Sequence, residues 1–196
     1  MTEHEPDDAV PHDAALVAQA LAGRQAAYSV LMRRHREAVF RLARGHVGDA
    51  DAALDITQES FVSAFAALAR YDGARPFRAW IARIALNKCR DRARRRAVRS
   101  FFTFAKPIDD ALQIADPGSG HEDALHARRE LARVNAAIAV LPANLKEVLL
   151  LRSIEAMSQT EVSELLGISE KAVETRLYRA RARLTEMLRD QGAPRV

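Results

Sequence analysis

The stretch "SQTEVSELLGISEKAVETRLYRARARL", residues 158–184, combines two helix starts, one helix end and a dense run of positive charge. Ser158 and Glu161 fit the S-x-x-E capping box, in which each side chain accepts a hydrogen bond from a backbone N–H of the first turn. Gly167 can take the left-handed conformation that ends a helix, and Ser169 can cap the next helix. Two helices joined by so short a glycine-containing turn predict a helix-turn-helix unit.

The second of these helices carries its apolar and basic residues on different sides. At about 100° per residue, one stripe faces the core and consists of Val173, Leu177, Ala180, Leu184, Met187 and Leu188. We expect the opposite wall to enter the major groove of DNA, with N-terminal residues on base edges and arginines on phosphates or guanines. The predicted base readers are Lys171, Glu174 and Thr175, and the other predicted DNA contacts are Arg176, Tyr178, Arg179, Arg181 and Arg183. The alternative is a solvated, charged face on a structural helix.

Positive charge is concentrated in two blocks, although the chain of 196 residues has a formal net charge of only +4. Seven basic residues lie within 88–99 and five within 171–183, and each block contains a single acid. Acidic residues occupy 1–13 and 109–123, neither of which contains Lys or Arg. This separation predicts two contact surfaces for a polyanion.

The composition argues against several classes of protein. No stretch reaches the roughly 20 uncharged apolar residues of a membrane span, and the acidic N-terminus does not fit a secretory signal, so we expect no membrane insertion and a cytoplasmic location. The single cysteine, Cys89, excludes an internal disulfide and a cysteine-built zinc site. The six histidines show no metal-ligand spacing, and no phosphate-binding glycine loop or nucleophile–base pair can be placed. We therefore expect no enzyme activity, no metal and no cofactor.

Helical periodicity without strand signals predicts an all-α fold of two small helical domains joined by a flexible linker. Glycine and proline breaks are expected at 45–48 and 71–76 in the first domain, and at 141–142 and 167 in the second. The predicted segments are an acidic N-terminal tail at 1–13, a helical domain at 14–96, a linker rich in Pro, Gly, Asp and Ser at 97–127, a helix-turn-helix domain at 128–190, and a C-terminal tail at 191–196.

A basic strip and an apolar face share the segment "FRAWIARIALNKCRDRARRR", residues 77–96. The predicted core residues are Phe77, Ile81, Ile84 and Ala85, and the strip consists of Arg83, Asn87, Arg90 and Arg94 at helical spacing. The asparagine amide can hydrogen-bond a base edge. Trp80 lies at the border between the faces, where it either closes the core or stacks on an unpaired base. The preceding loop "YDGARP" offers Tyr71 beside the strip, where a flipped base could be received.

A third surface is acidic and lies in "DADAALDITQESFVSAFAAL", residues 49–68. The predicted core side consists of Leu54, Phe61, Phe65 and Leu68, and the opposite face consists of Asp51, Asp55, Gln58 and Glu59. Such a face is either simply solvated or suited to a basic protein partner.

Three motifs, in this order and spacing, resemble regions 2.2, 2.3–2.4 and 4 of the extracytoplasmic-function (ECF) group of bacterial sigma factors. They are "DITQESFVSAFAAL", "FRAWIARIALNKCRDRARRR" and "MSQTEVSELLGISEKAVETRLYRARARL", and the resemblance covers residues 14–96 and 128–189. It implies a protein that binds core RNA polymerase, directs promoter-specific transcription initiation and is controlled by an anti-sigma factor.

The resemblance also implies roles for the three surfaces. The acidic face would dock on the clamp helices of the polymerase β′ subunit, and the C-terminal domain would lie near the β flap. The 77–96 strip and the 71–76 loop would meet the −10 element, where strand separation exposes bases, and the helix at 169–183 would read the −35 element as duplex. One departure concerns Glu174, which stands where many members of the group carry a basic residue. It either accepts from cytosine N4 or turns aside, so the −35 preference stays open.

Two rival functions use only part of these features. A stand-alone helix-turn-helix regulator explains 158–183 but gives no role to the acidic face or the 77–96 strip. A sigma-like decoy that sequesters an anti-sigma factor has no use for a basic strip. Phe101, Phe102 and Phe104 are either an anchor into a partner or the frayed end of the preceding helix.

Overall fold

The computed structural model describes residues 11–103 and 122–192, and within these ranges the chain forms eight α-helices and no strand. The N-terminal domain contains α1 (Asp13–Leu21), α2 (Gln25–Val47), α3 (Ala50–Ala66) and α4 (Phe77–Thr103). The C-terminal domain contains α5 (Glu122–Ala139), α6 (Ala143–Leu149), α7 (Gln159–Leu166) and α8 (Glu170–Gly192). A 3₁₀ turn follows α3 at Leu68–Arg70, and a π turn follows α6 at Leu150–Ile154. The all-α prediction is confirmed.

In the N-terminal domain, α2 packs against α1, α3 and α4. The side chain of His12 caps α1 by accepting from the Ala15 N–H at 3.1 Å, and Asp49 caps α3 by accepting from the Ala52 N–H at 2.6 Å. The buried core includes Leu31, Leu42, Ile56, Phe61, Leu68, Phe77 and Ile81. Each large apolar side chain buried in this way contributes about 1.5–3 kcal/mol.

Several predicted boundaries differ from the observed ones. The break predicted at 45–48 is observed at Gly48, where φ is 81°, because α2 continues through Gly45 to Val47. A turn that was not expected separates α1 from α2 at Gly23, where φ is 88°. Helix α4 continues to Thr103 and α5 begins at Glu122, so both ends of the predicted 97–127 linker are helical. Residues 104–121, which include Phe104, lie outside the described residues.

The helix-turn-helix forms as the sequence predicts. Ser158 Oγ accepts from the Glu161 N–H at 3.1 Å, and Glu161 Oε2 accepts from the Ser158 N–H at 2.7 Å, which completes the capping box. Helix α7 ends at Gly167 with φ of 66°, and Ser169 Oγ accepts from the Ala172 N–H at 3.2 Å to start α8. Val162 of α7 and Val173 and Ala180 of α8 are buried, which shows the side of each helix that faces the core.

The two domains pack directly against each other, because α2 contacts α5, α6 and the π turn, and α4 contacts α7. A single hydrophobic cluster contains buried residues of both domains. Gly45 permits this close approach, since a Cβ at that position would lie 2.4 Å from Leu150 Cδ2. The Lys146 ammonium, buried at the same junction, donates to the His46 carbonyl at 2.9 Å and to the Ala139 carbonyl.

Candidate nucleic-acid interfaces

Of the three predicted base readers near the start of α8, Lys171 and Glu174 are exposed, whereas Thr175 is half-buried. Lys171 Nζ lies 2.9 Å from Glu174 Oε2, and both side chains are exposed. The Thr175 hydroxyl donates to the Lys171 carbonyl of its own helix at 2.9 Å. An exposed pair of this kind is worth at most about 1 kcal/mol, so a nucleic-acid ligand could separate it readily.

Further along α8, the predicted arginines fall into two groups. Arg183 pairs with Glu186 at 2.6 Å, and Arg181 reaches Ser153 Oγ at 3.5 Å. Arg176 and Arg179 have no hydrogen bond or ion pair with the part of the chain that the structure describes. Tyr178 lies between them in sequence and is 75% exposed. This wall of α8 therefore offers one exposed phenol and two guanidinium groups that lack a partner among the described residues, of which Arg179 is exposed and Arg176 is half-buried.

Helix α7 positions the start of α8 through residues that the sequence reasoning did not select. Thr160 Oγ1 donates to Glu170 Oε1 at 2.7 Å, and Gln159 Nε2 donates to the Glu170 carbonyl at 3.1 Å. These bonds hold the first turn of one helix against the first turn of the next. The sequence feature that could have indicated these hydrogen bonds is the polar pair Gln159 and Thr160, directly after the Ser158 cap.

The strip on α4 lies on one exposed side of the helix, as predicted, but its members already have partners. Arg83 Nη2 donates to the Glu164 carbonyl at 3.0 Å. Arg90 donates to both Glu147 oxygens, at 2.7 and 2.6 Å, and to Asn87 Oδ1 at 3.2 Å. Arg94 pairs with Asp91 of the same helix.

The pair between Arg90 and Glu147 is the most strongly coupled of these contacts. Burial opposes ionisation of Glu147, but the two hydrogen bonds from Arg90 and the nearby His46 outweigh it and lower the pKa of Glu147 to about 2. The same hydrogen bonds raise the pKa of Arg90 against the effect of burial. His46 Nε2 lies 3.6 Å from Glu147 Oε1, which is an ion-pair distance too long for a hydrogen bond.

The aromatic residues next to the strip form a cluster at the edge of the core. The Trp80 ring centroid lies 5.3 Å from that of Tyr71 and 5.4 Å from that of Phe77. Phe77 is fully buried, whereas Tyr71 and Trp80 are half-buried. The Tyr71 hydroxyl donates to the Arg75 carbonyl across the 71–76 loop. Trp80 thus closes the core with part of its surface and leaves the rest beside the strip.

The acidic face of α3 is exposed at all four predicted positions, Asp51, Asp55, Gln58 and Glu59. Arg92 of α4 lies 3.6 Å from Asp55, and Lys88 lies 3.8 Å from Glu59. The prediction that Leu54 faces the core was wrong: Leu54 is 51% exposed, and Val62, eight residues on, is 70% exposed. At spacing i, i+4 and i+8, Leu54, Gln58 and Val62 share this face, which makes it partly apolar.

Two kinds of feature are absent from the described ranges. No group of three or more His, Cys, Asp or Glu side chains there could hold a metal ion. No described helix combines the length and the apolar character needed to cross a membrane.

Both domains match known protein families. Sigma-70 region 2 matches residues 31–99, and Sigma-70 region 4 matches residues 131–184. RNA polymerase sigma factor CnrH of Cupriavidus metallidurans is 42% identical over 186 residues, which cover 93% of this chain and 96% of CnrH. ECF RNA polymerase sigma factor SigM of Mycobacterium tuberculosis is 33% identical over 178 residues, which cover 90% of this chain and 84% of SigM. The chain belongs to the ECF group of sigma factors.

The fold agrees with this assignment. The solved structure of CnrH in complex with the cytosolic domain of CnrY has a TM-score of 0.67 at 37% identity, covering 92% of this chain and 99% of that one. As a sigma factor, the chain binds core RNA polymerase and directs promoter-specific initiation.

Proposed function

We propose that the N-terminal domain, residues 14–96, recognises the −10 element, and that the C-terminal domain, residues 128–190, recognises the −35 element. The observation that carries the proposal is the placement of Arg176 and Arg179. Both lie on one wall of α8, the second helix of the helix-turn-helix, where Arg179 is exposed and Arg176 is half-buried, and neither has a partner among the described residues. That wall has the geometry and charge to enter a major groove, where arginines contact guanines and phosphates.

The −10 surface is the strip on α4 together with the adjoining loop. Asn87 supplies an amide that can pair with a base edge, and Trp80 and Tyr71 supply aromatic surface at the rim of the core. Aromatic stacking combined with arginine contacts suits unpaired bases, because every base presents a flat face. This surface therefore fits DNA whose strands have separated.

The acidic face of α3 is the docking surface for core polymerase, on the clamp helices of β′, and the C-terminal domain lies near the β flap. Leu54 and Val62 add apolar area between the carboxylates of Asp51, Asp55 and Glu59. Apolar contacts ringed by charge are typical of specific protein interfaces. The predicted partner surface is basic with apolar side chains at its centre.

The sigma factor also binds an anti-sigma factor. CnrH, which it resembles along nearly its whole length, is solved in complex with the cytosolic domain of CnrY. We propose a partner of the same kind for this chain, acting in the cytoplasm where core polymerase works. The chain acts as a regulator with no catalytic activity of its own.

Transcription of fragmented genomic DNA by core polymerase tests the −35 assignment. Wild-type protein should produce a discrete set of transcript start sites, and R176A/R179A should lose them while binding core as before. R189A, which removes an exposed arginine near the end of the same helix, is the matched control and should keep the start sites. Unchanged start sites with R176A/R179A would refute the assignment, and specific duplex binding without core would favour a stand-alone regulator.

A further inference from the structure

A buried histidine of the N-terminal domain lies close to the 71–76 loop and takes no part in the three proposed surfaces. His35 of α2 is only 8% exposed, and its Nε2 lies 2.9 Å from Oδ2 of Asp13 in the first turn of α1. Because an ionised carboxylate only accepts hydrogen bonds, the His35 Nε2 carries the proton. Burial lowers the pKa of His35 below its ordinary 6.5, against the opposing effect of Asp13, so the donating ring is neutral at pH 7.

Asp13 joins α1 to α2 through both of its carboxylate oxygens. Oδ1 accepts from Arg34 Nη1 at 2.5 Å, while Oδ2 accepts from His35. Arg34 also donates to the Pro11 carbonyl at 2.9 Å, directly before α1. These bonds hold the first turn of α1 against the part of α2 that carries His35.

The His35 ring also contacts Phe77, the first residue of α4, with ring centroids 5.0 Å apart. Phe77 directly follows the 71–76 loop and is fully buried. Its ring lies 5.4 Å from the ring of Tyr71 and 5.4 Å from that of Trp80. Aromatic rings at such distances attract each other. A continuous row of rings therefore joins the buried histidine to the aromatic surface at the loop.

The loop rests on two supports and is braced across its own width. The Tyr71 hydroxyl donates to the Arg75 carbonyl, so the two ends of the loop are joined. One support is Phe77, beneath the Tyr71 ring. The other is the first turn of α1, because a Cβ at Gly73 would lie 3.9 Å from Ala14 Cβ. A loop closed in this way moves as a unit, and its place depends on these two supports.

We propose that Asp13 and His35 are positioning residues that set the place of the 71–76 loop for recognition of an unpaired base of the −10 element. Asp13 lies in the helical turn that supports the loop, and His35 contacts the other support, Phe77. The pair therefore holds both supports at a constant spacing without meeting DNA itself. A binding site discriminates between ligands only when residues behind it lock its geometry. This inference rests on the proposed function of the loop.

The test measures the base preference of initiation by the full chain with core polymerase. The probes are sets of four promoter fragments, made from one promoter mapped by its start site, that carry A, C, G or T at a single position of the −10 or −35 element. The preference ratio is the transcript yield with the best base divided by the mean yield with the other three. The variants are D13A, H35F and D13A/H35F. H35F keeps an aromatic ring and removes only the hydrogen bond, so it decides the question if D13A fails to fold.

D13A and H35F should each lower the preference ratio by about threefold at one or more −10 positions and leave the −35 ratios unchanged. Because the two residues act through one contact, D13A/H35F should also lose about threefold, rather than the about ninefold of independent effects. The matched control is I56V, which removes one buried carbon from a separate cluster with Ala43, Ala53 and Cys89. It lowers the stability of the same domain and should keep all ratios of wild type.

Unchanged −10 ratios in the folded variants, an equal loss in I56V, or additive losses in D13A/H35F would overturn the inference. Y71A, which alters the loop itself, separates this failure from failure of the proposed function. If Y71A changes the −10 ratios while D13A and H35F do not, only the positioning role is wrong. If Y71A also leaves them unchanged, the proposed −10 role of the loop is wrong, and the inference falls with it.

Discussion

Replacing Glu147 by glutamine should remove a stabilising charge whose size follows from its surroundings. The Glu147 side chain is only 6% exposed and accepts two hydrogen bonds from Arg90. Although burial opposes its ionisation, these bonds and the nearby His46 lower its pKa from the ordinary 4.5 to about 2. At about 1.36 kcal/mol per tenfold change in proton affinity, that difference corresponds to about 3 kcal/mol of folding free energy at pH 7.

The sign of the pH dependence follows from the direction of the shift. Because the pKa of Glu147 is lower in the folded than in the unfolded chain, its contribution is complete above pH 4.5 and is lost as the pH falls through about 2. Glutamine resembles the protonated acid. The gap in unfolding free energy between wild type and E147Q should therefore shrink from about 3 kcal/mol at pH 7 to about 2 kcal/mol at about pH 3.5.

Urea unfolding of both proteins at the two pH values measures this gap. E164Q is the control, since it removes one exposed carboxylate from α7 and should give a pH-independent difference within about 0.5 kcal/mol of zero. Equal stability of E147Q and wild type at pH 7, or a stability deficit of E147Q that stays constant down to about pH 3.5, would contradict the assigned role of Glu147.

Two further substitutions test the turn and the docking face. Gly167→Ala should lower the unfolding free energy by about 1 kcal/mol, because φ at this position is 66° and alanine is strained there. A Cβ at position 167 meets no other atom, so the backbone strain is the whole of the effect. Gly73→Ala, at an ordinary φ, is the control and should leave the stability unchanged in the same thermal melts. D55K/E59K should weaken association with core polymerase in a fluorescence titration, because both carboxylates lie on the proposed docking face. The two introduced lysines would also lie next to Lys88 and Arg92. Undiminished affinity would show that α3 is not part of the interface.

The helix-turn-helix could be predicted in detail because its signals are local. A cap, its reciprocal glutamate and a terminal glycine each act within four residues, and all three are observed at Ser158, Glu161 and Gly167. The apolar periodicity of α8 also requires no knowledge of the rest of the chain. Buried Val173 and Ala180 therefore lie where the helical period places them.

The contacts between the domains could not be predicted, because they join residues far apart in sequence. Arg90 and Glu147 are 57 positions apart, and no spacing rule relates them. The glycines at 45–48 predict a helix break, which is observed at Gly48, but they do not predict that Gly45 admits Leu150. The prediction places Leu54 on the face opposite Gln58, although residues four apart lie on the same side of a helix, and Leu54 is exposed.

Crosslinking from single positions to promoter DNA tests the central claim, that one chain applies two separate cationic surfaces to one promoter, most directly. A photoreactive phenylalanine analogue at Asn87 on α4 or Tyr178 on α8 is assembled with core polymerase on a promoter mapped by its start site. We predict that position 87 crosslinks to the separated strands near −10, and position 178 to duplex DNA near −35. Crosslinking of both positions to one segment, or of neither to DNA, would contradict the account.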